Sequence, residues 1–300
     1  MTPDRRATAW LVFLCALWGA SFFSMDRGVA GMETVVGKEA APSAFLFLRF
    51  LVAAAIFPLA FPRAVEELTP RAALHGFLLT LPFYAGFILQ VTGLRGTTPT
   101  VSAFITSLTV VTTPVVGRML FRESVSWANL AGAAVAAAGI YFLTNPTGGG
   151  FGRGEFITTL SVVAFAFQIQ VVNVVTRRSS PGAVTLVMFL CAVLFSGLTL
   201  AALGVGPALL ARALLAPDAA WSVAYNAVAC SVVAITLMNR FQRDLPPTRA
   251  AVIYTLEPVF AGVFAAAYGG EDMTFRKLAG GAIVIAGNLL CEVFRRKGTS

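Results

Sequence analysis

Residues 99–143, PTVSAFITSLTVVTTPVVGRMLFRESVSWANLAGAAVAAAGIYFL, lie without a gap over residues 247–291, PTRAAVIYTLEPVFAGVFAAAYGGEDMTFRKLAGGAIVIAGNLLC. The offset is 148 residues, and fourteen of the forty-five aligned positions are identical. A chain of this composition would give roughly four by chance. Pro99-Thr100 meets Pro247-Thr248, Glu123 meets Glu271, Leu130-Ala131-Gly132 meets Leu278-Ala279-Gly280, and Gly139 meets Gly287. Composition bias alone does not put a glutamate and two glycines in register. The chain therefore divides into two related halves, 1–147 and 148–300.

Both halves are strongly apolar. Of 300 residues, 57% are hydrophobic and 12% charged, and the mean hydropathy is +0.80. Soluble domains carry about twice that charge. This excludes a soluble enzyme, a disordered chain, collagen and a disulfide scaffold. The apolar runs are 8–26, 43–62, 72–92, 100–121, 126–144, 155–176, 183–204, 219–241, 249–268 and 275–294. Each has the length of a membrane-spanning helix, and in hydrocarbon the helix satisfies every backbone group within the segment. Pro42, Pro62 with Pro70, the 146–150 stretch, Pro181-Gly182, Pro217 and Pro246-Pro247 separate them. Arg5-Arg6 before the first run resembles a secretory signal, but that run continues through Trp18 and Phe22 and is read as a retained span. The expected fold is all-α and integral to the membrane, with ten transmembrane helices. Five spans per half is an odd number, so the halves are inverted, as in many secondary transporters.

The net charge of +8 is topogenic rather than a nucleic-acid footprint. With both termini in the cytoplasm, fourteen Lys and Arg fall on the inner side and seven on the outer, with Arg49 inside a span. That bias predicts cytoplasmic termini and a multi-pass protein of the cytoplasmic (inner) membrane. Cys15, Cys191, Cys230 and Cys291 lie in apolar runs and read as small core residues. The single histidine, His75, sits at the entrance of the third span and reads as interfacial. No catalytic or metal-ligand motif is present. Neither an enzyme, a metal nor a cofactor is expected.

Leu256-Glu257-Pro258-Val259-Phe260 through Gly270-Glu271 resembles the second-half signature of the drug/metabolite transporter superfamily, in its EamA-type branch. Trp18-Gly19-Ala20-Ser21-Phe22 resembles the first-half signature, and Arg49, Glu123 and Glu271 also match. The resemblance spans essentially the whole chain. It implies a ten-helix carrier, often an exporter of amino acids or other metabolites, in which spans five and ten pack together outside the cavity. The first half departs from the pattern: Val110 stands where a proline is usual, with Pro114 nearby, and Arg122 precedes Glu123.

Polar groups at membrane depth are costly and usually face a cavity or the bundle interior. Glu257 lies near the middle of the ninth span. Keeping a carboxylate charged there needs a cation or donors, which suits proton coupling or cation recognition. A structural acid beside the Pro258 kink is an equal alternative. Arg49 could bind a substrate carboxylate, pair with Glu257, or snorkel to the outer interface. Helical spacing places Trp18, Ser21 and Phe22 on one face, Thr106, Thr109 and Thr113 on another, Gln170 with Asn173, and Tyr254 with Glu257; Tyr84 lies mid-span. Aromatic and amide groups together suit a small amphipathic metabolite. For each residue alone, interhelical packing is as good an explanation. Gly132, Ala136 and Gly139 on the fifth span, and Gly280 or Gly281 with Gly287 on the tenth, read as packing seams. Glu123 and Glu271, at helix ends, read as structural. The expected function is secondary transport of a small-molecule substrate, such as an amino acid, by alternating access and as an exporter. A proton-coupled multidrug or cation antiporter and a non-transporting membrane scaffold are the alternatives. The oligomeric state is open, with a monomer plausible, and no nucleic-acid partner is expected.

Overall fold

The computed structural model describes residues 3–122, 127–144 and 151–293. Glu123 and the 146–150 stretch lie outside the described residues. The main helices are α1 (Pro3–Val36), α2 (Ala41–Ala60), α3 (Pro70–Leu94), α4 in two pieces (Pro99–Thr106 and Thr109–Phe121) and α5 (Trp127–Thr144). The second half repeats this order with α6 (Arg153–Arg178), α7 (Pro181–Ala202), α8 (219–241), α9 in two pieces (Pro247–Tyr254 and Glu257–Tyr268) and α10 (Phe275–Val293). Eight of these elements are long and apolar enough to cross a membrane. With α5 and α10, of 18 and 19 residues, each half has five. We call the face where α1 begins the near face, and its opposite the far face.

Proline and hydroxyl residues set the helix starts. Thr69, Thr98 and Ser180 accept bonds from Ala72, Val101 and Ala183 N–H, just ahead of Pro70, Pro99 and Pro181 at the first helical position. A side-chain cap and a pre-set proline φ are the two cheapest ways to begin a helix.

Two elements differ from the sequence expectation. The first helix runs ten residues past Asp26, to Val36. Its charged end is held by Arg95, so it projects as a helix instead of breaking. The linker after α7 folds into a short helix, Pro207–Leu214.

Helix contacts obey the duplication. The principal pairs are α5 with α10, α2 with α7, α3 with α6, α1 with α8, α1 with α9, α4 with α6, α3 with α7 and α2 with α8. Exchanging the halves turns each of these pairs into itself or into another of the set. The α5–α10 seam is built from small residues. A Cβ on Gly287 would lie 2.5 Å from Ala136 N, and one on Gly139 would lie 2.7 Å from Val284 N. Backbones this close leave room for glycine only.

Candidate functional site

Both fourth-position helices break at the same repeat position. α4 stops at Thr106 and resumes at Thr109; α9 stops at Tyr254 and resumes at Glu257. In α9 the break precedes Pro258, which has no N–H to donate to the preceding turn. In α4 no proline stands there, yet Leu108 N bonds Ile105 O and Val110 N bonds Ser107 O, a tightened three-residue spacing. The hydroxyls of Thr106, Ser107 and Thr112 bond back to Ser102, Phe104 and Leu108 carbonyls. Such back-bonds compete with the helix ladder and bend it. Half-helix ends inside a membrane are tolerated where they line a cavity.

A cavity of about 60 Å³ lies between these breaks. Four pairs of its lining residues are related by the repeat offset: Ser21 with Ile169, Gln90 with Met238, Thr106 with Tyr254, and Thr109 with Glu257. The cavity thus sits on the pseudo-two-fold axis, and its chemistry is asymmetric across it. Three helices of each half contribute: α1, α3 and α4 against α6, α8 and α9. Trp18, Phe87, Phe165 and Gln168 complete the wall.

Hydrogen bonds orient three of the wall residues, Trp18, Tyr254 and Gln90. Trp18 donates its indole N–H to Cys230 O at 3.0 Å, and its ring lies 5.8 Å from that of Tyr254. Tyr254 donates to Gln242 Oε1 at 2.7 Å. Gln90 Nε2 reaches Thr106 Oγ1 at 3.2 Å. Gly19 brings α1 against the second piece of α9, because a Cβ there would meet Phe260 Cβ at 2.5 Å and Glu257 O at 2.9 Å. This close approach sets Trp18 beside Glu257 in one wall. No described residue donates a hydrogen bond to the Glu257 carboxylate, which opens onto the cavity.

Arginines at equivalent repeat positions, Arg95 and Arg243, stand at the two ends. On the far face Arg95 follows α3. It clasps Glu33 with Nε at 2.7 Å and Nη2 at 3.2 Å, and its Nη1 meets Asp26. Both carboxylates belong to α1. Beside them Thr97 Oγ1 donates to Glu155 Oε1 at 2.7 Å, tying the same hairpin to α6. On the near face Arg243 follows α8 and donates to Thr176 O of α6 at 2.9 Å, while Arg177 returns a bond to Arg243 O. Gln242 Nε2 reaches Ile169 O at 3.0 Å and Asn173 Oδ1 at 3.1 Å, and Asn173 Nδ2 reaches Leu245 O at 2.9 Å. At the far end a two-carboxylate ion pair joins α3 to α1; at the near end carbonyl and amide bonds join α8 to α6, and Arg243 also meets its chain neighbour Asp244 at 3.9 Å.

Of the residues singled out in the sequence, Trp18, Ser21, Thr106, Tyr254 and Glu257 meet at the cavity, with Thr109. The others lie elsewhere. Phe22 is 1% exposed and packs with Ala103 and Ala261. Tyr84 faces Phe195, ring centroids 5.6 Å apart. Gln170 donates to Thr113 O at 3.1 Å, and Asn173 belongs to the near-face network. Arg49 is fully buried and bonds Ser231 Oγ at 2.8 Å, rather than snorkelling to an interface or pairing with Glu257. Glu271 is structural, but the helix it caps is in the other half: its carboxylate takes Thr100 Oγ1 at 2.9 Å, at the start of α4, and pairs with Lys277 at 2.9 Å. Burial alone would push its carboxyl up. Hydrogen bonds from Lys277, Thr98 and Thr100 outweigh that and hold it below the usual carboxylate value. Sequence reasoning missed Phe87, Gln90, Phe165 and Gln168, and the arginine pair. Carrying the 148-residue alignment four residues toward the N-terminus would have exposed Arg95 over Arg243.

The geometry places polar side chains, two broken helices and two arginine networks around one axis of duplication. The sequence model of the EamA-like transporter family matches residues 6–145 and again 152–291. A protein of Archaeoglobus fulgidus, named as an uncharacterized transporter, is 25% identical over 268 residues, covering 88% of this chain and 78% of its own length. One solved crystal structure superposes with a TM-score of 0.63 over 95% of this chain and 99% of its own, at 16% identity, a likeness of fold. With the family pattern matched once in each half, the chain belongs to the EamA-like transporter family, a group of multi-pass membrane transporters.

Proposed function

We propose that the protein is a secondary exporter of the cytoplasmic membrane, moving a small amphipathic metabolite of amino-acid size by alternating access, with its near face in the cytoplasm. The observation that carries this is the central cavity, lined equally by both halves, with an arginine-centred network of different chemistry at each end. A volume of about 60 Å³ holds roughly four to six waters. A metabolite enters only when the walls part. Exchange of the two inverted halves between their packings opens one end as it closes the other. Trp18, Tyr254 and Phe165 offer stacking surface, Ser21, Thr106, Thr109, Gln90 and Gln168 offer hydrogen bonds, and Glu257 offers a cation or proton site.

The open Glu257 carboxylate also favours a second reading, a proton-coupled antiporter of cationic compounds. One experiment addresses both. Detergent-purified protein is screened by thermal shift against amino acids, nucleosides, polyamines and cationic dyes, since a ligand that binds only the folded state raises Tm. Any stabilising compound is then followed across proteoliposomes. The proposal expects saturable, protein-dependent flux of a compound whose stabilisation is weakened by Trp18→Ala. Flux no faster than in protein-free vesicles contradicts transport, and flux confined to polyamines or dyes selects the second reading.

A further inference from the structure

Arg49 is fully buried, and its guanidinium has fewer partners than it has N–H groups. Nε donates to Ser231 Oγ at 2.8 Å, Nη1 meets only the weak acceptor Met25 Sδ at 3.5 Å, and Nη2 has no hydrogen-bond partner. Among the described residues no carboxylate stands within ion-pair distance. Buried charges are normally paired, because losing water is costly. Here the charge rests on two aromatic faces instead, with Cζ 5.2 Å from the Phe50 centroid and 4.6 Å from that of Phe87.

Phe87 is also a wall of the central cavity. One ring therefore divides an underemployed guanidinium from the cavity that holds Glu257. The floor behind Arg49 is irregular as well. Ser231 donates to Asn226 O five residues back, in the π-helical segment Asn226–Val233 of α8. Such segments are rare and recur at functional sites.

We infer that Arg49 is an anion site held shut by Phe87, and that it takes the carboxylate of the transported compound when that ring swings aside. The inference rests on reading the cavity as the substrate's site, and it narrows the substrate class. The compound carries a carboxylate at the Arg49 end and an apolar body against Trp18 and Phe165. A planar guanidinium with a free N–H fork matches a carboxylate in two-point geometry, which an amide or an ester cannot reproduce.

The test reads binding and not flux, so it separates this inference from the transport reading. Purified protein is titrated with benzoate and with 3-phenylpropionate, each against its neutral amide at fixed ionic strength, and Tm is recorded. The expected result is saturable stabilisation by the acids and at least about tenfold weaker binding of the amides, the loss that follows when a charged hydrogen bond is removed. Arg49→Met removes a buried charge that has no counter-ion, so it folds and no longer distinguishes acid from amide. Arg49→Lys keeps the charge but not the fork, and falls between. Phe87→Leu removes the competing ring and strengthens acid binding severalfold. This last arm stands even if Arg49→Met is not recovered. Equal stabilisation by acid and amide, no saturable response to either acid, or an Arg49→Met variant that responds like the parent would each overturn the assignment. A carboxylate bound through Arg49 without flux would leave it standing and count against transport alone.

Discussion

Glu257 concentrates the chemistry of the cavity in one side chain. Among the described residues it is the cavity's only carboxylate, and its symmetry mate is Thr109. The wall is thus ionisable on one side of the axis and hydroxylic on the other. Glu257→Gln keeps the shape and removes the charge. It should preserve folding and downhill substrate exchange, and abolish any response of flux to an imposed pH difference. Proteoliposome flux with and without that difference measures this; an unchanged response would make Glu257 a structural acid beside Pro258. Trp18→Ala should leave insertion and expression intact while weakening ligand binding by about 1 kcal/mol or more. Unaltered affinity would reduce Trp18 to a packing residue.

Glu271 obeys a different logic. Its carboxyl is held below the usual value by Lys277 and two threonines, so the folded state releases this proton more readily than the unfolded one. The contribution to stability is complete above the ordinary carboxylate pKa near 4.3 and is lost as pH falls through the lower, folded value. Glu271→Gln should cost about 1–2 kcal/mol at neutral pH and nothing at pH values below both. Thermal unfolding of parent and variant across that acid range gives the difference directly; a constant gap at all pH values would contradict the account.

At the scale of elements, the two broken helices show what a sequence does and does not reveal. The break in α9 is legible, since Pro258 follows Glu257. The break in α4 is not, because Val110 replaces the proline and three hydroxyl back-bonds do its work. The α5–α10 seam is legible from glycine spacing alone. Gly287→Val would force a side chain into Ala136 and the Gly132 carbonyl, and should destabilise by about 1–3 kcal/mol as overpacking does. Unchanged Tm would contradict the packing described. The faces of the other helices are harder to read. A span apolar all round has no polar stripe to mark its inward side, so Phe87, Gln90, Phe165 and Gln168 gave no sign of facing a cavity. Gln170 and Asn173 misled for the converse reason: their amides satisfy backbone carbonyls, Thr113 O of α4 and Leu245 O of the loop after α8, and neither lines the cavity.

Across the whole molecule, duplication followed by inversion explains both the fold and the paired arginines. The alignment of 99–143 with 247–291 already contains the axis on which the cavity lies. It does not contain the divergence of the ends, because across helices Arg95 finds carboxylates of α1 while Arg243 finds a carbonyl of α6, its one carboxylate contact among the described residues being the adjacent Asp244. The partners across helices come from elsewhere in the chain. The charge bias predicts the topology: a reporter fused after Ser300 should be cytoplasmic and one inserted near Gly149 external, and an external C-terminal reporter would contradict that orientation.

Alternating access, with the arginine networks as latches at the two ends, is the central claim, and paired spin labels test it without knowing the substrate. One pair spans the far face, on the 95–98 hairpin and the end of α1; the other spans the near face, on the 243–246 hairpin and the end of α6. Pulsed dipolar distances are then recorded in lipid for the parent and for Arg243→Ala and Glu33→Gln. The account predicts opposed changes. Arg243→Ala lengthens the near-face distance while the far-face distance stays short, and Glu33→Gln shifts the population toward far-face opening with the near face closed. Both faces lengthening together, or neither responding to loss of its latch, would contradict it.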